Sequence, residues 1–590
     1  MDYMFIIRGK NMKEYIKKYY KYYLIIIFIA IMLTSALLVN GLPDAHDVDA
    51  HMARAVGTGK ALKEGQVPPL VVSDYVNGFG FAWNLFYPPL APYIMTILKL
   101  FVATYQNALK LLIMIFMCIS GIAMFKLMEE ITGKKKVSLL ASIIYMCAPY
   151  LLIDIYIRMA VGEILSYALF PVLFLGIHNL FYGSGKKHTL ITVGAVGILL
   201  SHNISAIFAI GLSVIYVLFN IKRLNNKEIW KKIGINVVFI ILIVGFFYLP
   251  LLQAKNSINY AVFEYGTMAT LNSLKDNAVY LSQILFGKMQ TGYSNPIIIS
   301  KNVDWDMCMQ IGLYIVIPLL FTPFVYKKID KKFRKNYLLT LVIGLFAIFA
   351  STPLFPYNIL PKQIAVIQFP WRFLHIATFA LSIIATINIY KVFEQIRLQE
   401  IMIFTIIILV YISPLIFVNN FNTRITDEVY TGEEELNPDD KSTKSSAMLE
   451  YLPLKAYENI EYIKNRSQDV VVIEGNIQIT EQNKNGSNMN IKFTNASNKS
   501  SIELPYIYYP GYEIKINGEK IDYYESENGF VKLDIPENTS GEIVVKYTGT
   551  ILARITWLIS LISLIVFIIY NINLCIKYKK DRKILVHEKD

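Results

Sequence analysis

Apolar runs long enough to cross a bilayer recur along the chain, separated by short loops rich in Lys and Arg. A helix needs about 20 apolar residues to cross a hydrocarbon core of about 30 Å. The 590 residues are 55% hydrophobic and only 17% charged, where soluble domains hold roughly a quarter charged. Mean hydropathy is +0.43. These features describe a polytopic α-helical membrane protein. The first run begins near Tyr22, is long, and lacks a small-residue cleavage site behind it, so a retained span is expected rather than a removed signal peptide. The net charge of +13 sits in the loops between spans, the pattern of cytoplasmic loops, and no nucleic-acid partner is expected. Four scattered cysteines give neither a disulfide framework nor a metal spacing.

The basic N-terminus, 1–21, places that end in the cytoplasm. Spans are then expected near 22–40, 108–126, 136–153, 161–182, 188–200, 203–221, 233–252, 307–326, 336–351, 373–390, 400–419 and 551–571. The proline-rich segment 87–104 keeps this parity only as an interfacial or re-entrant piece. The expectation is a membrane domain, 22–419, of about twelve spans counting the last helix at 551–571, with both termini cytoplasmic and a basic tail at 572–590. Three pieces fall outside: 41–87, 253–306 and 420–550. The last opens with the acidic stretch TDEVYTGEEELNPDD and continues through VVVIEGNIQI, MNIKFTN, SIELPYIYY, YEIKING, FVKLDIP and EIVVKY. Alternation, β-branched residues and the Asn517-Gly518 turn predict antiparallel strands, folded as a small β-sandwich. Its YIYYPGY segment either stacks on sugars or fills the sandwich core or packs against the membrane domain.

The first outer loop concentrates charge. Asp47, His51 and Arg54 are spaced to share one helix face, with Asp44 placed to cap the helix start. A carboxylate, an imidazole and a guanidinium together can take a proton, bind a metal or hold a phosphate. More polar residues are expected at the same side of the membrane: Asp154, Arg158 and Glu163 in LLIDIYIRMAVGEIL, His202 with Asn203, and Trp371 with Arg372 in IQFPWRFLH. Ionisable residues at membrane depth are costly and point to function. Asp47 and Glu163 are the candidate catalytic carboxylates. Arg54, Arg158 and Arg372 are candidate phosphate ligands, with His51, His202 and Trp371 as further binding residues. Asp47 and His51 could share one divalent metal ion, but two ligands are too few to name it; no other cofactor is expected.

The segments HDVDAHMARAVGTGKALKEGQVPP, NGFGFAWNLFYPPLAPY, IYIRMAVGEILSYALFPVLFLG, LLSHNISAIFA and IQFPWRFL, in that order, resemble a bacterial membrane family labelled 6-pyruvoyl-tetrahydropterin synthase-related. EYLP and YYPGYEIKINGEKI resemble the C-terminal part of large bacterial membrane proteins that glycosylate envelope polymers. More widely, the chain resembles GT-C membrane glycosyltransferases. That resemblance implies a GT-C-like fold and a polyprenyl-phosphate-linked sugar as donor. It implies an envelope glycan or teichoic-acid-like acceptor, and Asp47 and Glu163 as the acidic outer-loop residues. The Tyr87–Pro88–Pro89–Leu90 turn resembles one in lipid-linked aminoarabinose and mannosyl transferases. A basic residue often precedes the prolines there, and Tyr87 departs from that. Pterin synthases are small, soluble and hold zinc with a histidine cluster. The seven scattered histidines here predict no pterin chemistry. Two other readings compete: a lipid or polysaccharide transporter or flippase, and a non-catalytic envelope assembly protein. A transporter should carry its ionisable residues near the midplane, whereas here they gather at one end of the spans.

Overall fold

The computed structural model describes residues 9–43, 45–265, 270–286, 309–394, 399–420, 425–426 and 449–587. Asp44, most of the 253–306 loop beyond Phe286, and the acidic stretch after Thr426 lie outside the described residues. The helices in chain order are α1 (Gly9–Leu33), α2 (Val48–Lys63), α3 (Trp83–Phe86), α4 (Leu90–Leu98), α5 (Tyr105–Thr132), α6 (Lys135–Met146) and α7 (Pro149–Ile153). They continue with α8 (Val161–Tyr182), α9 (Leu190–Leu199), α10 (Asn203–Phe219), α11 (Lys227–Lys255) and four short pieces, α12 (Ala261–Glu264), α13 (Leu271–Asp276), α14 (Leu281–Phe286) and α15 (Leu313–Val316). Then come α16 (Thr322–Lys328), α17 (Arg334–Ser351), α18 (Phe373–Phe393), α19 (Gln399–Asn420), α20 (Leu454–Glu458), α21 (Ile460–Asn465) and α22 (Ile551–His587).

Twelve spans are not what this gives. Among the described residues six helical segments are long and apolar enough to cross: α5, α8, α11, α17, Pro370–Phe393 and Ile551–Tyr578. A seventh is counted if Lys135–Met146 and Pro149–Arg158, bent by 43°, act as one span. Two further expected spans, 22–40 and 400–419, fall on α1 and α19, 25 and 22 residues long; part of the remaining difference comes from reading apolar length as helical length. The run at 188–200 yields only α9, ten residues, or about 15 Å, half of a hydrocarbon core. The run at 307–326 is split into α15, a 3-10 turn and α16. Pro318 and Pro323 stand at those junctions, and a proline removes an amide donor from the helix ladder. The nine-residue α4 is likewise too short to cross.

α5 lies against α1, α6 and α8, α8 pairs with α9, and α17 pairs with α18, which also contacts α6. One large apolar core runs through these helices. α11 and α22 pack on each other. Ser560 on α22 fastens them by donating to Leu242 O at 2.7 Å and accepting from Phe246 N at 3.1 Å.

Strands β1 (Leu42–Pro43) and β2 (Ile425–Thr426) form a two-residue antiparallel pair. The remaining strands are β3 (Val471–Glu474), β4 (Ile477–Asn485), β5 (Asn488–Asn495), β6 (Ser501–Ile507), β7 (Tyr512–Ile516), β8 (Glu519–Ile521), β9 (Tyr524–Glu525), β10 (Phe530–Asp534) and β11 (Ser540–Tyr547). They form two antiparallel sheets, ordered β3-β6-β10-β9 and β4-β5-β11-β7-β8. Ile491, Phe493, Ile502, Phe530 and Ile543 from both sheets are buried in a common core. Tyr506, Tyr509 and Tyr512 of YIYYPGY are buried in it too, which leaves them no face for stacking on sugars. The segment 70–87 that follows α2 joins the same core through Phe79, Phe81 and Trp83. The Ile507 amide donates to Phe79 O at 2.9 Å. At the end of α2, the Glu64 carboxylate accepts from Ser487 N at 3.0 Å and Ser73 Oγ at 2.6 Å. The β sheets therefore hold the far end of the segment whose start carries Asp47.

Candidate functional site

Two arginines and one glutamate make the centre. The chain leaves α7 through a π-helical turn, Asp154–Arg158, and closes it with Ala160 N donating to Asp154 O at 2.9 Å. Met159 then takes φ +50°, a left-handed conformation costly for a residue with a Cβ. α8 starts two residues later with Glu163 in its first turn, where the helix dipole favours a carboxylate. Arg158 grips Glu163 with both terminal nitrogens, Nη1 at 3.0 Å and Nη2 at 2.9 Å, and its Nη1 also lies 2.5 Å from Asp154 Oδ1. Arg372 Nε donates to Glu163 Oε1 at 3.1 Å, and the Tyr150 hydroxyl to Oε2 at 3.1 Å. Glu163, Asp154 and Arg158 are buried. Buried charges persist only when paired and hydrogen-bonded, and this knot supplies both.

Arg372 reaches the site from a 3-10 turn, Pro370–Arg372, that leads into α18. Its Nη1 donates to Ile367 O and Gln368 Oε1, both at 2.8 Å. Gln368 has φ +62°, and the Phe369 amide closes a three-residue turn on Ile367 O at 2.7 Å. Each arginine of the knot thus stands near a non-glycine residue in a strained conformation, the kind of backbone that clusters at functional sites. Arg372 Nη2 makes no hydrogen bond among the described residues. Trp371 is buried and stacks on Phe369 at 4.3 Å, with its indole N–H unpartnered.

His202 arrives by close backbone approach. A Cβ on Gly162 would sit 2.5 Å from Ser201 O, so only glycine lets the start of α8 touch this loop. His202 caps α10 by accepting from Ser205 N on Nδ1 at 3.3 Å. That leaves the ring proton on Nε2, which points at Glu163 Oε1 from 3.9 Å.

The first-loop residues divide. The backbone of His46 donates to Ile157 O at 3.0 Å and that of Asp47 to Arg158 O at 2.9 Å, fixing Asp47 beside the knot. Asp47 is the N-cap residue of α2 without a side-chain cap bond. His51 N donates to Asp47 O at 3.1 Å, so the two side chains are one turn apart. Asp47 is open to solvent at its surface, yet it lies deep enough between elements for lost hydration to raise its carboxyl above the usual range. The charges of Arg158 and Arg372 oppose that rise, and Glu163 adds to it. Burial, helped by the Arg54 charge, lowers His51 to about 3, so its imidazole is neutral at physiological pH. No hydrogen-bond partner among the described residues holds either side chain.

Arg54 is bound to other groups. It is buried, donates from Nε to Asn84 Oδ1 at 2.8 Å and from Nη2 to Tyr87 O at 2.5 Å and Pro88 O at 2.8 Å. Its guanidinium lies 4.8 Å from the centre of the Tyr87 ring. It fastens α2 to the Tyr87–Pro88 turn rather than offering a phosphate a free fork; only Nη1 is left unpartnered. Glu163 likewise is no free base, because four donor contacts occupy its two oxygens. Among the described residues no three His, Cys, Asp or Glu side chains gather to hold a metal ion, so Asp47 and His51 remain a pair of ligands at most. The sequence singled out neither Tyr150 nor Gln368. Tyr150 follows Pro149 at a helix start, with no motif to mark it, and the Gln368 turn leaves no trace in residue type.

A protein of Lactococcus lactis subsp. cremoris (strain MG1363), described as uncharacterized, is 26% identical over 631 residues, covering 98% of this chain and 99% of its own. The cryo-EM structure of arabinofuranosyltransferase AftD from Mycobacteria aligns with a TM-score of 0.47 and 12% identity, over 70% of this chain and 27% of that one. A mutant of the same protein aligns at 0.42 and 14%, over 70% and 28%. The chain thus spans about a quarter of the length of those solved structures. A family profile described as 6-pyruvoyl-tetrahydropterin synthase related domain, membrane protein, matches residues 85–418, and on that match over more than half its length the chain belongs to this family of membrane proteins.

Proposed function

We propose that the chain is a membrane glycosyltransferase that moves a sugar from a polyprenyl-phosphate donor to an envelope glycan or teichoic-acid-like acceptor at the outer face of the plasma membrane. The observation that carries this reading is the placement of Asp47. A carboxylate without a hydrogen-bond partner among the described residues is held by its own backbone beside two arginines, one of which keeps a terminal nitrogen unbonded among those residues. That arrangement provides a base and a cation, the two groups a sugar transfer from a lipid phosphate needs. In this reaction Asp47 takes the proton of an acceptor hydroxyl. The acceptor oxygen bonds to the anomeric carbon, and the bond from that carbon to the phosphate oxygen breaks. The electron pair leaves with the polyprenyl phosphate, whose growing charge meets Arg372 and Arg158 as preorganised donors.

Glu163 and His202 act through the arginines as positioning residues. Arg54 positions the 83–88 turn. Trp371, with its free indole N–H, lines the donor side. A divalent ion, where used, would be held by Asp47 and His51 and would orient the acceptor hydroxyl. Both termini are then cytoplasmic and the β sheets extracytoplasmic, presenting the acceptor.

The test is incubation of the purified chain in vesicles with labelled polyprenyl-phosphate sugars and envelope glycans. Label covalently joined to a glycan, with free polyprenyl phosphate released, supports transfer. Label crossing the bilayer on an intact lipid supports the flippase reading instead.

A further inference from the structure

A cavity lies at the other end of the same helices. α8 carries Glu163 in its first turn and His178 in its last part, and α18 follows Arg372 and carries Lys391 near its end. At 1.5 Å per residue those spans are about 22 and 28 Å, close to the thickness of a hydrocarbon core. The cavity measures about 320 Å³ and is walled by apolar residues of five helices, among them Leu127, Phe174, Leu212, Ile343 and Ile383. That is the size of a small-ligand site.

The rim is polar and basic. Lys134 and Lys391 both line it and share the single carboxylate of Glu394, at 3.5 and 2.8 Å. Lys134 is 52% exposed. Asp330, also lining, accepts from the Lys332 amide at 2.9 Å, and the Lys332 ammonium sits over the Phe333 ring. Lys134 and Lys391 are thus the two basic lining residues, against the one lining carboxylate of Asp330. Just inside, Tyr216 OH lies 3.3 Å from His178 Nδ1 and 3.4 Å from Asn336 Nδ2, while Asn336 Oδ1 is a buried acceptor with no partner among the described residues. An apolar well, a cationic rim and an orphaned acceptor between them are complementary to an amphiphile with a chain, a phosphate and a donor group.

We propose that this cavity binds one chain of an anionic lipid, with the lipid phosphate at Lys134 and Lys391. This site is separate from the one at Glu163 and does not depend on the proposed reaction. It is tested by native mass spectrometry of the full chain, offered phosphatidylglycerol, phosphatidylcholine and a polyprenyl phosphate at equal concentration. The wild type should retain an anionic lipid at least tenfold over phosphatidylcholine. Preference for phosphatidylglycerol, whose hydroxyl can donate to Asn336, assigns the site to membrane phospholipid; preference for the polyprenyl phosphate assigns it to a carrier lipid. Ile383→Trp should fill the cavity and abolish retention, while Ile210→Trp, on an exposed apolar position, should leave it intact. The double variant K134Q/K391Q should bring anionic and zwitterionic lipids to parity. Where Ile383→Trp is not monodisperse, Ala380→Leu serves the same end. Equal retention of all three lipids by the wild type, or unchanged retention in a cavity-filled variant, overturns the proposal.

Discussion

The Asp47 amide donates to the carbonyl of Arg158 at 2.9 Å. This one bond joins the start of α2 to the turn that carries the buried arginine, and it makes the position of a free carboxylate depend on that of its counter-charge. Because lost hydration raises the Asp47 carboxyl, the native state holds a proton that the unfolded state has released in the interval just above pH 3.8. Stability should therefore fall as pH rises through that interval. Asp47→Asn should remove this dependence and leave the protein at neutral pH at least as resistant to heat as the wild type. Thermal unfolding of both proteins across pH 3.5–7 checks it; a variant less stable at every pH would contradict it.

Glu163 is a structural anion in this account. Glu163→Gln leaves the buried Arg158 guanidinium with Asp154 alone and removes the carboxylate to which the half-buried Arg372 donates, and breaking a buried pair costs on the order of 3–5 kcal/mol. Folded yield and melting temperature should drop sharply. Glu163→Asp keeps the charge and should recover part of both. A Glu163→Gln protein that melts like the wild type would remove the positioning role.

Arg54 should behave as a fastener. Arg54→Lys cannot reproduce a planar fork that bonds Asn84, Tyr87 and Pro88 together. It should lower thermal stability by roughly 1–3 kcal/mol, with donor KM changed little. A large rise in donor KM at unchanged stability would instead mark Arg54 as a phosphate ligand.

Gly162→Ala places a Cβ against backbone, 2.5 Å from Ser201 O. Overpacking of this kind costs roughly 1–3 kcal/mol, and here it pushes His202 away from Glu163. Both melting temperature and transfer rate should fall. A Gly162→Ala protein that melts and transfers like the wild type would contradict the close approach.

Lys484 offers a pH test in the β sheets. Its ammonium donates to Gly78 O and Gln468 Oε1 at 2.6 Å and to Pro505 O at 2.9 Å. Burial, with the Arg466 charge, still lowers it to about 7 from 10.5. Between those values the unfolded chain binds a proton that the folded one has lost, so stability should rise with pH from about 7 toward 10.5. Lys484→Met should flatten that rise, as read by thermal unfolding.

Residue spacing made some of this visible. Alternation in MNIKFTN marks β5, whose burial alternates along the strand, because side chains of a strand point to opposite faces. Asp47, His51 and the polar residues of 154–163 were visible because charge is rare in apolar sequence. Residue types did not reveal which of those charges were already spent on one another. Arg54 and Glu163 read as free reactive groups, whereas Asn84 and two backbone carbonyls occupy the first, and Arg158, five residues away, and Arg372, 209 away, occupy the second. Helix continuity was also hidden: α9 stops after ten residues inside a longer apolar run.

The most direct measurement is the initial rate of sugar transfer from one polyprenyl-phosphate donor by wild type, Asp47→Asn and Asp47→Glu, each confirmed folded by its melting temperature. The account predicts that Asp47→Asn loses on the order of 10²–10⁴-fold in kcat with donor KM nearly unchanged, and that Asp47→Glu recovers part of the rate. Transfer by Asp47→Asn at the wild-type rate would contradict it and move the base elsewhere in the protein.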